Sequence, residues 1–436
     1  MNSLTVAGFP SQARGWFGAL PEDWSVNPLK FVVTYNDEAL SKNTDPAYEI
    51  EYADISSVEL GKGITATEAM YFEDAPSRAR RLVKDGDTLI STVRTYLKAI
   101  ATVENASENL IASTGFAVLR PSPSIDPEYL GHFTTSSCFV DAVVAQSKGV
   151  SYPATNASDI VRLNIPFPKL NIQKAIARFL NSKTAHIDAL IEKKRKLLEL
   201  LAEKRAAIIT NAVTKGINPT APMKDSGIDW LGEIPEHWGT KRFRFLLRES
   251  FKYGANESAE LDDPDFPRFI RITDVKDDGT LREDTFRSIP PEIAGPFLLE
   301  PGDILLARSG ATVGKSFHYE ASWGKAAFAG YLIRARLDVS CHPKFIMYFL
   351  RSQSYWQWLK GAFIQSTIQN VSAEKYSNLW LPTPPKREQS QIAEYLLAEN
   401  SRMDQIERTV SQVIDRLTEY RSALITEAVT GKIKVA

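Results

Sequence analysis

Pro166-Phe167-Pro168-Lys169-Leu170-Asn171-Ile172-Gln173-Lys174-Ala175-Ile176-Ala177 returns 216 residues later as Pro382-Thr383-Pro384-Pro385-Lys386-Arg387-Glu388-Gln389-Ser390-Gln391-Ile392-Ala393. Two prolines interrupt regular structure, and the residues after them are free to begin a helix. From Gln173 to Lys215, and again from Glu388 to Thr430, the chain contains no Gly or Pro and is rich in helix formers. In the second run Leu396, Met403, Val410, Leu417 and Leu424 are spaced by seven, with Ile392, Ile406, Val413 and Tyr420 as a companion seam. In the first, Leu180, Ile187, Leu201 and Ile208 hold the matching seam, with Ile176, Leu190 and Leu197 beside them. Lys194 and Lys204 interrupt one copy, Glu399 and Glu427 the other. A heptad repeat of this length predicts a helix that wants another helix, and at ~1.5 Å rise per residue each is about 60 Å long. The chain itself supplies a matching partner. Antiparallel pairing within one chain sets a globular half at each end of a rod; pairing with a second copy, or packing of each stripe on its own globular half, are the alternatives.

The rest of the chain is doubled too. Trp16, Gly18, Pro21, Glu22 and Trp24 recur as Trp230, Gly232, Pro235, Glu236 and Trp238, while Gly86, Asp87 and Leu89 recur as Gly302, Asp303 and Leu305. Asp188, Glu203 and Arg205 recur as Asp404, Glu419 and Arg421. A period this long marks a duplicated domain with its connector. The fold class is therefore α+β, with two similar mixed α/β globular domains separated by two long helices that pair as an antiparallel coiled coil with pseudo-two-fold symmetry. The boundaries are residues 1–170 for the first globular domain, 171–216 for the first helix, 217–235 for a linker rich in Pro and Gly, 236–385 for the second globular domain and 386–436 for the second helix.

Inside each half, strand-like runs come first: Lys30 to Tyr35, Asp87 to Val93 and Phe116 to Leu119, then Phe269 to Val275, Asp303 to Ala307 and Phe328 to Arg336. A helix from Pro127 through Val143 and another from Pro343 to Leu359 come after them. The prolines suit a first helical turn.

Composition sets outer bounds. Of 436 residues, 43% are hydrophobic and 24% charged, and the formal net charge is -1. That balance disfavours a simple basic nucleic-acid binder without excluding local basic patches. Cys138 and Cys341 fall in different halves and fit a reducing compartment rather than a disulfide framework. The sequence has no secretory pattern and no apolar run approaching ~18 residues, so a cytoplasmic protein without a membrane span is expected.

Three stretches together resemble the specificity subunit of type I restriction-modification systems: Asp229-Trp230-Leu231-Gly232-Glu233-Ile234-Pro235-Glu236-His237-Trp238, Gly302-Asp303-Ile304-Leu305-Leu306-Ala307-Arg308-Ser309-Gly310, and Pro382 onward through Gln389, Ile392 and Ala393. The resemblance covers the whole chain. It implies two target-recognition domains, each reading one half of a bipartite, asymmetric double-stranded DNA site, with the paired helices as a spacer. It also implies docking of two modification subunits that methylate adenine at N6, and of restriction subunits where a system has them. S-adenosylmethionine and ATP then belong to those partners; this chain holds no cofactor, no metal and no catalytic residue. A coiled-coil scaffold with two protein-binding ends is the alternative from another class.

Candidate DNA contacts are set by residue type. In the first half Arg94, Tyr96 and Lys98 succeed a strand, and Ser151 and Tyr152 form a second polar loop. Arg271 and Thr273 in the second half lie in a strand ahead of Arg308, Ser309, Thr312 and Lys315. Gln365, Ser366, Thr367 and Gln369 form that half's second loop. Arginine takes guanine bidentately and a side-chain amide matches adenine's edge. Asn156 and Asn370, recurring in both halves, suit a shared turn. Trp24 and Trp238 read as anchors of the loop that leads into each domain. The run Gly310 to Ser316 mimics a phosphate loop but has one residue too few between its glycines, and a strand rather than a helix is expected after it.

Overall fold

A computed structural model describes residues 17–149, 153–276, 279–310, 312–364 and 370–435. The chain divides into two compact units, Met1–Arg195 with Ser411–Ala436, and Lys196–Val410. Both long helices are cut by this division. The first spacer helix, Leu170–Lys215, gives its opening turns to the first unit and its last turns to the second; Lys386–Val429 does the reverse.

The first unit holds two four-stranded sheets. One orders Val33–Tyr35, Phe116–Pro121, Thr88–Ser91 and Ile100–Thr102, all antiparallel. The other is mixed, with Leu110–Ser113 running parallel to Glu49–Ala53. The second unit repeats the plan in reduced form. Lys252–Tyr253, Leu332–Ala335, Ile304–Ala307 and Ser316–His318 make its four-stranded sheet, and Arg268–Ile270 runs parallel to Ala326–Phe328 beside it. The registers agree residue for residue: Phe116 faces Ser91 as Leu332 faces Ala307.

Shared residues explain the shared plan. Asp87, 1% exposed, accepts a backbone N–H from Lys84 at 2.9 Å and a two-pronged bond from Arg120 at 3.0 and 2.8 Å. Asp303 accepts from the Glu300 N–H at 2.8 Å and from Arg336 at 2.9 and 2.8 Å. A buried carboxylate is tolerated only with such a fork, which is why the Gly-Asp turn recurs. Gln173 and Gln389 are a second matched pair. Gln173 accepts from the Asp126 N–H and donates to the carbonyls of Pro168 and Ser124; Gln389 accepts from the His342 N–H and donates to those of Pro384 and Ser340. Each amide staples the start of a long helix to the start of a short one.

Several expected elements are redrawn. The Pro-x-Pro segments are strands, not breaks: Asn164–Phe167 pairs with Ser25–Pro28 and Trp380–Thr383 with Gly239–Arg242. Each pair is two-stranded, so a proline without an N–H has room at the open edge. Lys30 to Tyr35 begins as a 3-10 turn, Leu29–Phe31, before strand Val33–Tyr35. Phe269 to Val275 is likewise a short strand ending at Ile270 and then a 3-10 turn, Ile272–Asp274. The single helices expected after Pro127 and Pro343 are each two, Pro127–Thr135 with Ser137–Gln146 and Pro343–Phe349 with Gln353–Ile364. Phe328 to Arg336 holds the end of one strand and the whole of another.

The long helices pair in antiparallel fashion. Within the first unit Arg421 meets Asp188 at 2.9 Å. Within the second Arg205 meets Asp404 at 2.6 Å and Glu407 at 3.3 Å. As one helix advances from Asp188 to Arg205, its partner retreats from Arg421 to Asp404. The main seam is as expected at Leu180, Ile187, Leu396, Met403, Val410 and Leu424, all buried, with Leu201, Ile208 and Leu417 half-buried. The companion seam is corrected. Leu197 and Ile406 are 37% and 39% exposed, Tyr420 is exposed, and Leu190 and Val413 are only half-buried. On the first helix the inner flank instead lies four residues after the seam, at Thr184, Ile191, Leu198 and Arg205; on the second Ile414 and Arg421 take that place, while Glu407, four after Met403, is exposed. The flank expected from sequence is buried at Ile176 and Ile392 because the globular cores cover it there. Farther along the helix that cover ends and the same flank meets water.

Both helices terminate alike. Gly216 and Gly431, at φ 77° and 69°, adopt the left-handed cap that glycine accepts without strain. Trp238 packs beside Gly216 and Trp24 beside Gly431. The tryptophans anchor the opening loop of each domain; Trp16 lies outside the described residues.

Candidate nucleic-acid interface

In both units one hairpin loop joins the central strand to an edge strand of the four-stranded antiparallel sheet. It spans residues 92–99 in the first unit and 308–315 in the second. Its frame is the same in each. The Thr92 N–H donates to Gly115 O, and Thr92 O accepts from the Thr155 N–H; correspondingly the Arg308 N–H donates to Tyr331 O, and Arg308 O accepts from the Val371 N–H. Short bridges pair Val93 with Ala154 and Ser309 with Asn370.

What the frame carries differs completely. In the first unit Arg94 and Lys98 hold left-handed conformations at φ 49° and 55°. The equivalent positions of the second unit are Gly310 and Gly314, at φ 78° and 86°. Left-handed backbone costs a side-chain-bearing residue ~1–2 kcal/mol, so two cations occupy places where the duplicate keeps glycine. Between them Thr95 is buried, its hydroxyl 2.7 Å from that of Ser147, while Tyr96 and Leu97 are half exposed or more. Arg94, Tyr96 and Lys98 are all exposed on this one loop.

The second unit places its bulk elsewhere. Arg308 occupies the position of Thr92, and Tyr331, 66% exposed, that of Gly115. Tyr355 donates to Gly314 O at 2.8 Å and Tyr376 to Ala307 O at 3.4 Å, pinning both ends of the loop; burial pushes the Tyr376 phenol up to about 12. Ser309, Thr312 and Lys315 are half-buried along the same loop. Arg271 is committed within the fold. It grips Asp274 at 3.0 and 2.7 Å and reaches Thr285 O, capping the 3-10 turn in which Thr273 sits exposed. Ser151, Tyr152, Gln365, Ser366, Thr367 and Gln369 lie outside the described residues.

Two further differences from the sequence-based expectation concern the second unit. Asn156 and Asn370 are not equivalents. Asn156 precedes helix Ala157–Ile160 as Ser372 precedes Ala373–Ser377, and Asn370 matches Ala154. The unchanged offset of 216 in the flanking segments carried that signal. Tyr253 was missed: its ring lies under the Arg308 guanidinium, 4.8 Å away. An aromatic residue in a polar stretch just before a repeated strand was the available hint. The phosphate-loop mimic joins two antiparallel strands, so its setting is a hairpin and not the strand-to-helix turn of a nucleotide loop.

Two recognition-sized α/β domains, each mounted on the ends of paired helices and each presenting the same loop with different side chains, define a DNA-specificity architecture. The chain belongs to the Type I restriction modification DNA specificity domain family, whose model matches residues 21–200 and 258–416; its members are non-catalytic specificity subunits. It is 23% identical over 433 residues to the type I restriction enzyme StySPI specificity subunit of Salmonella potsdam, covering 95% of this chain and 90% of that one. To the EcoKI specificity subunit of Escherichia coli K12 it is 22% identical over 441 residues, with 95% and 90% covered. Among solved structures, a chain of a type I restriction-modification system aligns with TM-score 0.71 at 23% identity, covering 95% of this chain and all of that one. The HsdS subunit from Thermoanaerobacter tengcongensis aligns at 0.51, 23% identity, 95% and 98% covered. Among the described residues no helix is long and apolar enough to cross a membrane.

Proposed function

We propose that this chain reads a split, asymmetric DNA sequence, one half per recognition domain, and brings two adenine-N6 modification subunits to it, with restriction subunits joining where the system has them. S-adenosylmethionine and ATP are bound by those partners. The observation that carries the reading is the pair of hairpin loops: one backbone frame, two unrelated sets of cationic and aromatic side chains. A scaffold that gripped the same protein at both ends would have no reason to diverge at the same loop. A different recurrence supports two equal partners. Phe31 and Phe245, 68% and 64% exposed, sit 214 residues apart, each with a cation on its ring, Lys30 at 5.0 Å and Arg244 at 4.9 Å.

The test is the pattern of N6-methyladenine in a host carrying this chain and its methyltransferase. The expected result is methylation at one two-part motif with a constant gap. Methylation at an uninterrupted motif, or none that depends on this chain, would refute the reading.

A further inference from the structure

The geometry points to Arg308 as a guanine reader in the second recognition domain, with Tyr253 as the residue that positions it. This rests on the DNA-reading function proposed above and names the base and the side chains.

Several arginines in this domain are tied to carboxylates, Arg334 and Arg336 to Glu249, Arg271 to Asp274 and Arg268 to Glu283, while Arg242 and Arg244 donate to Asn378. Among the described residues no carboxylate pairs with Arg308. Its guanidinium instead lies over the Tyr253 ring at 4.8 Å. The ring is itself fixed, since the Tyr253 hydroxyl oxygen accepts the Ala373 N–H at 3.0 Å. The Arg308 backbone is clamped on both sides, donating to Tyr331 O at 3.1 Å and accepting from Val371 at 2.9 Å. Arg308 Nε and the Oδ1 of Asn370, whose backbone bridges Ser309, are buried without a hydrogen-bond partner among the described residues.

A buried polar atom without a partner is expensive, and such atoms in a native fold call for a physical account. A phosphate would also accept an arginine fork, but it offers no donor to Asn370 Oδ1, whereas a base edge supplies acceptors and donors side by side. Guanine O6 and N7 present two coplanar acceptors, which a guanidinium held over an aromatic ring meets with two parallel N–H bonds. Asn370 Oδ1 adds the acceptor that a neighbouring exocyclic amine requires. Thr92 and Ala154 stand at the places of Arg308 and Asn370 in the first domain, so this reader belongs to one half-site only.

The experiment is selection of bound sequences from a random DNA library by the full-length chain in complex with its modification subunits. Wild type, Arg308→Ala, Arg308→Lys, Tyr253→Leu and Tyr253→Phe are compared. Arg308→Ala should lower the preference for guanine at one position of one half-site by about tenfold or more. Arg308→Lys should recover little of it, because an ammonium cannot make the fork. Tyr253→Leu should weaken the same position, and Tyr253→Phe, which keeps the ring but loses the bond to Ala373, should fall between Tyr253→Leu and wild type. The other half-site serves as the internal control, because a misfolded chain loses both. The inference is overturned if Arg308→Ala leaves every position unchanged, or if it weakens all sequences alike as a phosphate contact would. A wild-type complex that enriches no split motif overturns the DNA-reading function and this inference with it.

Discussion

At the scale of single residues, a left-handed backbone position separates the two halves most sharply. Arg94 and Lys98 carry strain that Gly310 and Gly314 avoid. If the strain serves DNA contact, relieving it should trade affinity for stability. Arg94→Gly and Lys98→Gly are each expected to leave the fold as stable or more stable, by up to ~1 kcal/mol, because relief of strain outweighs the flexibility that glycine adds to the unfolded chain. Each should also lower the slope of log affinity against log salt by about one. Thermal melts and binding titrations at several salt concentrations measure both; an unchanged slope removes these residues from the interface. The reverse exchange in the second domain is costly. A Cβ on Gly314 would lie 2.2 Å from Leu359 Cδ2, so Gly314→Ala should destabilise by ~1–3 kcal/mol in chemical denaturation. The candidate loop was legible as a polar run after a strand, but the backbone sign of Arg94 was not, since nothing in one sequence marks a non-glycine residue as left-handed. Arg271 shows the opposite limit. Its residue type suited a base contact, and only the fold reveals that Asp274 already holds it.

Among the elements, the long helices were the most legible part of the chain, because a heptad stripe over several turns leaves few alternatives. Their companion seam was not. Sequence spacing gives two flanks for any stripe, and the partner chooses between them. The choice made here is testable. Ile191→Ala and Met403→Ala, at buried positions, should cost ~2–5 kcal/mol. Leu197→Ala and Ile406→Ala should cost well under 1 kcal/mol, because their side chains already face water. Equal costs in denaturant melts would put the original flank back at the interface. The cross-helix ion pairs Arg205–Asp404 and Arg421–Asp188 are partly exposed and should contribute about 1 kcal/mol or less each in a double-mutant cycle. Gln173 and Gln389 are the stronger fasteners. They are buried, and truncating either to Ala orphans a backbone N–H and two carbonyls at a helix start, for ~1–3 kcal/mol. The small strands were less legible. Pro166 and Pro382 argued for interruption, and the physics that admits them, an edge with no neighbour to bond, is a property of the sheet and not of the segment.

For the molecule as a whole, the duplication was visible from sequence, and the structure supplies its reason: equivalent residues such as Asp87 and Asp303, or Gln173 and Gln389, do equivalent jobs in each unit, while the second sheet and the loop at 92–99 and 308–315 diverge. The same burial that repeats across the units sets a dependence on acidity. Burial is the leading cause that holds three imidazoles below their ordinary value of 6.5: His132 in the first unit, against the weaker upward pull of Asn181, and His318 and His342 in the second. The unfolded chain takes up a proton near 6.5 where the folded chain resists it, so the unfolded state binds more protons just below that value. Each imidazole therefore contributes stability that is complete above 6.5 and is drawn down as pH falls from there toward its folded pKa. Carboxylates act in a lower window. Burial pushes the Glu249 carboxyl up, but Arg336 and its neighbouring arginines together outweigh it and hold the group below 4.5. Lys84 and Arg120 hold Glu38 below the same value, so the stabilisation from both carboxylates is lost only as pH drops under 4.5. Denaturation midpoints should thus fall in two stages on acidification, the first beginning near 6.5. His132→Gln, which keeps a hydrogen-bonding group beside Asn181 but cannot take a proton, should shrink the first stage and leave the second intact. A midpoint that stays level until carboxylates titrate would mean these imidazoles are solvated in the folded protein, and that the cores around them are looser than their packing shows.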